Sequence, residues 1–360
     1  MFLLSPLLKR VVYPSLATVG YLRKRRARQI SVITYHGVFP NGYTTTDPFL
    51  DGTLLPVEVF RRQLKLLKAT YRMVSPQEFL DWLHTDRELP ERAALLTCDD
   101  GLLNNLSGMV PVLEEEQLNC LFFTTGASIT DPYSMLWYVE LYLMLAHSSS
   151  RELYLLLGGD EARISLGGPA SKRAAWLGLL KQLSTLDESS RKAMLDQIRA
   201  NLDLPNGWKH GYLENPVLRE RYCVMGVPEL RRLAESGMCV GAHTVTHPIL
   251  SEQPEEALRE EVFASKELLE KALGRPVWAF AYPFGDDGAV SQREYDMAKK
   301  ADFECAFLNV GGPLRGKAQL HALPRIHVSC DMTMGEFEAH VSGFHGRLQE
   351  RFRRKADRSG

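Results

Sequence analysis

The sequence predicts an α/β fold of parallel strands interrupted by a block of helices. Two observations carry this: β-branched, apolar stretches alternate with amphipathic stretches at helical spacing in the first and last thirds of the chain, and that rhythm lapses between residues 130 and 225. Residues 31–38 (SVITYHGV) have the composition of a buried strand and end at a polar Tyr35-His36-Gly37 tip. Residues 57–71 then place Phe60, Leu64, Leu67 and Tyr71 on one helical face, with Arg and Lys on the other. The alternation continues through a helix at 76–84, a strand at 93–97, a helix at 102–117 and a strand at 120–125. From 130 to 225 helices are expected at 133–146 and 171–202, divided by Gly158-Gly159 and Gly167-Gly168, with no strand between them. The strand and helix rhythm resumes with a helix at 227–236, a strand at 238–242 and a long helix at 255–273 closed by Gly274. A strand at 277–281, a helix at 293–301 and strands at 305–309 and 323–328 complete it. The organisation expected is a barrel-type body from 29–129 and 226–345, a helical insertion at 130–225 and a basic tail at 346–360.

Composition limits the function classes. The chain has 360 residues, 45% hydrophobic and 24% charged, which suits a globular enzyme and argues against disorder. A formal net charge of -1, with no basic patch interleaved with aromatics, argues against nucleic acid as a partner. The six cysteines are scattered without a CxxC pair, so they suggest small core residues in a reducing compartment rather than a zinc knuckle or a disulfide framework.

Residues 1–22 are mostly apolar but broken by Lys9-Arg10, and a basic run from Arg23 to Arg28 follows. The apolar stretch 11–22 falls short of the ~20 residues that span a bilayer as a helix. The strongest basic run comes after the apolar residues, the reverse of a signal peptide. Residues 1–28 therefore read either as an anchor on an anionic membrane surface, with Phe2, Leu3, Leu4, Leu7 and Leu8 buried in the interface, or as a helix packed on the domain. The anchor reading places the protein in the cytoplasm, peripheral at the inner membrane; export is the alternative.

Three strands end in residues that a packed core does not choose. Thr97-Cys98-Asp99-Asp100-Gly101 sets two carboxylates after an apolar run, and alternation along a strand lets them point differently and divide the work of metal ligand and base. Alone, Asp-Asp-Gly is often only a turn with a helix cap. Gly241-Ala242-His243-Thr244-Val245-Thr246-His247-Pro248 places two imidazoles where they can converge on one divalent ion. Phe280-Ala281-Tyr282-Pro283-Phe284-Gly285 breaks a strand with a turn able to present a backbone N–H to an oxyanion.

In this order the three motifs resemble the polysaccharide deacetylase family, also called carbohydrate esterase family four or the NodB-homology family. The likeness covers roughly residues 30–125 and 227–328, includes the opening Thr34-Tyr35-His36-Gly37, and leaves residues 130–225 without a counterpart. It implies a distorted (β/α) barrel in which a divalent metal, most often Zn2+ and sometimes Co2+, Mn2+ or Ni2+, activates water against an acetyl group. Carried over, Asp99 is the general base, Asp100, His243 and His247 the metal ligands, and the Phe284 N–H the oxyanion donor. Cys98 replaces the family's usual phenylalanine. Ala281 stands where many members have an arginine that positions the base. The late acid motif is represented only by Leu323-Pro324-Arg325-Ile326-His327-Val328, where either His327 supplies the acid or Arg325 holds the site together. The implied activity is removal of acetyl groups, chiefly N-acetyl, from a glycan or lipid-linked saccharide in polysaccharide biosynthesis. A sugar deformylase or other amide hydrolase, and a catalytically silent sugar-binding barrel, are the competing readings.

Overall fold

The computed structural model describes residues 5–23, 28–45, 50–85, 88, 90–131, 134–157, 160–286, 288–317 and 319–356. The strands are β1 (Ile30–Tyr35), β2 (Arg72–Met73), β3 (Ala93–Cys98), β4 (Leu121–Thr124), β5 (Glu152–Leu157), β6 (Asp160–Ser165), β7 (Cys239–Ala242), β8 (Ala279–Ala281), β9 (Cys305–Phe307) and β10 (Ile326–His327). Eight of them form one parallel sheet in the order β10-β1-β3-β4-β7-β8-β9, with β2 beside β3. The sheet curls until a parallel bridge between Phe307 and Leu323 joins β9 to the segment entering β10, and the distorted barrel results.

Every residue of β1 and β3 is buried, as expected where helices cover one face of a parallel sheet and its own curl covers the other. Alternate residues separate into two clusters. Val32, Leu95, Leu121, Phe123, Ala281 and Phe307 fill the barrel interior, whereas Ile33, Leu96, Phe122, Val240 and Phe280 pack outward on helices such as Val57–Thr70 and Glu255–Leu273. Register therefore decides function: Thr97 and Asp99 continue the inward row of β3.

The expected elements of the barrel are present, with ends shifted by a few residues. The helix expected at 102–117 contains a π-helical stretch, Asn105–Met109, ahead of an α-helix, Val110–Glu115, whose Pro111 cannot donate a backbone hydrogen bond.

The insertion departs further. Between its helices lies an antiparallel hairpin of β5 and β6, where no strand was expected. Leu153 and Leu155 are buried while Tyr154 and Leu156 are exposed, the period of two that marks a half-buried strand. The Gly158-Gly159 pair lies outside the described residues. The single helix expected at 171–202 is two, Pro169–Leu183 and Glu188–Asn201, because Asp187 caps the second by accepting the Ser190 N–H at 2.8 Å.

The N-terminal segment is helical and docks on the barrel. Tyr13 and Leu22 are buried with Ala339, and Leu8, Val12, Leu16 and Ala17 pack around them with Phe344 and Leu348. Gly335 permits the close approach: a Cβ there would lie 2.7 Å from the Pro14 nitrogen. Arg23 is paired with Glu338 at 2.7 and 3.0 Å. The outer face keeps Leu7, Val11, Val19 and Tyr21 exposed. Phe2, Leu3, Leu4 and the run Lys24-Arg25-Arg26 lie outside the described residues. Among the described residues no helix is long and apolar enough to cross a membrane, and the cysteines are all free.

Candidate active site and metal centre

The chemistry-bearing residues meet because each follows the C-terminal end of a parallel strand, where the backbone turns away and side chains face a common rim. His36 follows β1, Asp99 and Asp100 follow β3, His243 follows β7, Phe284 follows β8 and His327 ends β10. All six, with His247, line one cavity of about 320 Å³. Gly101 (φ +69°) lets the chain after the two aspartates pass against β4, since a Cβ there would meet Thr124 at 2.9 Å.

Asp100, His243 and His247 converge. One oxygen of Asp100, Oδ1, lies 3.4 Å from His247 Nε2 and 3.7 Å from His243 Nε2. The Nδ1–H of His243 donates to the Ala281 carbonyl at 2.7 Å, which fixes the tautomer and leaves Nε2 with a free lone pair. Burial lowers the His243 pKa to about 4, so the ring is neutral near pH 7. A neutral nitrogen and a carboxylate oxygen facing each other are both acceptors and need a cation between them. Tetrahedral zinc with bonds of about 2.0–2.1 Å separates its ligands by about 3.3 Å, close to the spacings found. The three residues therefore fit a divalent metal, and their ligand atoms all lie within 4.8 Å of one another.

Asp99 plays a different part. Arg325, fully buried, grips it through two hydrogen bonds, Nη1–H to Oδ1 at 2.6 Å and Nη2–H to Oδ2 at 2.7 Å. The guanidinium also donates from Nε to the Leu308 carbonyl at 2.8 Å and stands 5.4 Å from the Phe123 ring. Burial alone would raise the Asp99 carboxyl, but the Arg325 charge overcomes it and holds the group below its ordinary value. Asp100 is likewise held below its ordinary value, its burial outweighed by the imidazoles of His247, His36 and His243 beside it. Ala281 offers no guanidinium to Asp99, and the structure supplies one from Arg325 in the segment leading into β10.

His327 stands in the cavity, its ring 4.9 Å from that of His36, and burial lowers its pKa to about 4. Phe284 adopts a left-handed backbone (φ +61°), with its ring 5.1 Å from His247. Asp100, Thr244 and His247 also have positive φ. Four of the seven non-glycine residues in that conformation among the described residues thus belong to the site, each at a cost of about 1–3 kcal/mol.

The motifs left some of the cavity unassigned. His36 was noted as a polar strand tip and as part of the family-like opening Thr34-Tyr35-His36-Gly37 but was given no role, and a histidine closing a buried strand was the signal. Asn309, Tyr138 and Trp176 also line the cavity, the last two from the insertion. No local pattern marks them.

The similarities to known proteins bear on this same pocket. Residues 211–306 match the model of the polysaccharide deacetylase family, a span that includes His243, His247 and the Phe284 turn. The Thr97-Cys98-Asp99-Asp100-Gly101 motif lies outside that span, and the fold brings it to the same cavity. Among solved structures, the Streptococcus pyogenes deacetylase PplD in complex with acetate is similar with a TM-score of 0.56 at 14% identity, over 87% of this chain and 98% of that one. IcaB from Ammonifex degensii is similar with a TM-score of 0.54 at 16% identity, over 88% and 98% of the two chains. A de-N-acetylase from Aggregatibacter actinomycetemcomitans has a TM-score of 0.55 at 12% identity, over 87% and 99%. No curated protein matches by sequence. Residues 211–306 are thus similar to the polysaccharide deacetylase family, and the chain shares the fold of these solved structures.

Proposed function

We propose that the protein removes N-acetyl groups from a glycan or lipid-linked saccharide with the help of one divalent metal held by Asp100, His243 and His247. The observation that carries this is the convergence of three acceptor atoms around one point, beside a separate carboxylate tied to an arginine. When bound, the ion acidifies water and polarises the acetyl carbonyl. Asp99 then takes the proton of the attacking water: each carboxylate oxygen gives one lone pair to Arg325 and keeps another. The Phe284 N–H is assigned to the developing oxyanion. Asp99 then returns that proton to the leaving amine, and His327, whose ring lies 4.9 Å from that of His36 in the same cavity, is assigned to orient the amine.

We further propose attachment to an anionic membrane surface on the cytoplasmic side. The exposed Leu7, Val11, Val19 and Tyr21 support this reading, although Leu8, Val12, Leu16 and Ala17 of the same segment are spent on the barrel. Acetate release from a panel of N-acetylated, O-acetylated and N-formylated saccharides, before and after chelation, tests the chemistry. Acetate release that stops on chelation and returns with Zn2+ or Co2+ is expected. Full activity of metal-stripped protein would remove the metal from the mechanism, and formate release alone would reassign the substrate.

A further inference from the structure

We infer that the insertion is part of the metal centre: Trp137 and Tyr138, at the start of the helix Trp137–His147, are positioning residues for two of the three metal ligands. The inference rests on the metal reading of Asp100, His243 and His247. The Tyr138 hydroxyl donates to Asp100 Oδ2 at 3.4 Å, the oxygen opposite the one facing the two imidazoles. Its ring lies 5.5 Å from that of His247. The Trp137 Nε1–H donates to the His247 carbonyl at 3.2 Å. One turn of the insertion therefore holds a carboxylate ligand by its spare oxygen and an imidazole ligand by its backbone.

The turn is held in its own right. The Trp176 Nε1–H, from the helix Pro169–Leu183, donates to the Tyr138 carbonyl at 2.8 Å. Arg191, 2% exposed on the helix Glu188–Asn201, stands 5.4 Å from the Trp137 ring and bonds the Thr246 hydroxyl. Thr246 lies inside the His243–His247 loop, and Glu261 accepts the Val245 and Thr246 N–H groups at 2.8 and 2.9 Å. Both Thr244 and His247 have left-handed backbones, a conformation that persists only where surrounding contacts enforce it. The barrel supplies part of that enforcement through Glu261, and the insertion supplies the rest.

A free carboxylate can bind a metal through either oxygen or both. Occupying Oδ2 with a hydroxyl leaves Oδ1 as the ligand atom, and such outer partners are worth about 10–100-fold in metal affinity.

The experiment is titration of full-length, metal-free protein with Co2+, read by its visible absorption, for wild type, Tyr138→Phe and Trp137→Phe, alongside the melting temperature of each metal-free protein. Tyr138→Phe removes one hydroxyl and keeps the ring. Both variants should bind Co2+ at least about 10-fold more weakly while melting near wild type, and excess metal should restore their turnover. A loss of affinity accompanied by an equal loss of fold would assign the pair a merely structural role and overturn the inference. Unchanged affinity in Tyr138→Phe would overturn it as well. Wild-type protein that takes up no Co2+ would overturn the metal reading itself, and this inference with it.

Discussion

The barrel rim and the insertion bring largely different kinds of group to one cavity. The rim contributes what carries charge or a lone pair: Asp99, Asp100, His243, His247 and His327, set at strand ends and partly on strained backbone. The insertion contributes mainly neutral donors and apolar surface, namely Tyr138, Trp176, Leu136, Val139 and Leu180, and its one charged side chain in the lining, Arg221, is paired with Asp51. The difference teaches that reactive groups sit where a stiff parallel sheet fixes them, whereas a structure added between strands can tune and enclose them without carrying the reaction.

The most direct way to break that division is to remove a charge from the rim. Asp99→Asn keeps the shape and an acceptor for Arg325 but removes the base. Turnover should fall by ~10²–10⁴ while the metal content stays that of wild type. If the metal is lost together with activity, Asp99 is a ligand and the roles of the two aspartates must be exchanged. An undiminished rate would place the base elsewhere, with His327 the next candidate in the cavity.

Arg325→Met tests the same rim one step back. Asp99 would remain buried without its partner, and breaking a buried pair in this way costs about 3–5 kcal/mol of stability. Its carboxyl should then protonate more readily, so the acid limb of the kcat/KM profile moves to higher pH. Arg325→Lys should recover part of both effects, because one ammonium cannot reproduce the two-pronged contact. A variant with wild-type stability and an unshifted acid limb would mean that the pair contributes nothing to holding Asp99 ionised.

Much of the rim was legible in the sequence and little of the insertion was. Asp99-Asp100 and His243 to His247 are local motifs placed after apolar strands, so the periodicity that locates the strand also locates the chemistry. The distorted barrel followed from the resemblance and is present. What stayed hidden depends on contacts distant in sequence. Arg325 lies 226 positions from the carboxylate it grips, and nothing in its surroundings distinguished it from His327 as the important residue of its motif. Tyr138 and Trp137 lie in a segment where the quoted motifs have no member, so neither periodicity nor motif could mark them. The hairpin of β5 and β6 was missed for another reason: its apolar run is short, and a short apolar run does not by itself separate strand from helix.

The smallest expected effect concerns protons rather than catalysis, and it sharpens the comparison through stability. In the barrel part, burial lowers the pKa of His243 to about 4, of His327 to about 4 and of His340 to about 3. In the insertion, His147 is lowered also, but from a more open position. The unfolded chain takes up these protons near the ordinary histidine value of about 6.5, while the folded barrel refuses them until the pH is well below that. The unfolded state thus binds more protons across this window, and stability is lost as the pH falls from about 6.5 towards 4. Each such histidine adds a slope of up to about 1.4 kcal/mol per pH unit. His340 lies in the helix Met334–Val341, outside the catalytic cavity, with its ring 3.9 Å from that of His345, so it can be replaced without touching the chemistry. Denaturant unfolding of metal-free His340→Asn between pH 7 and 4 should show a shallower slope than wild type, and His147→Gln should leave the slope nearly unchanged. If the insertion variant flattened the curve as much as the barrel variant does, the two regions would share the proton-refusing interior, and the contrast between them would hold for catalysis alone.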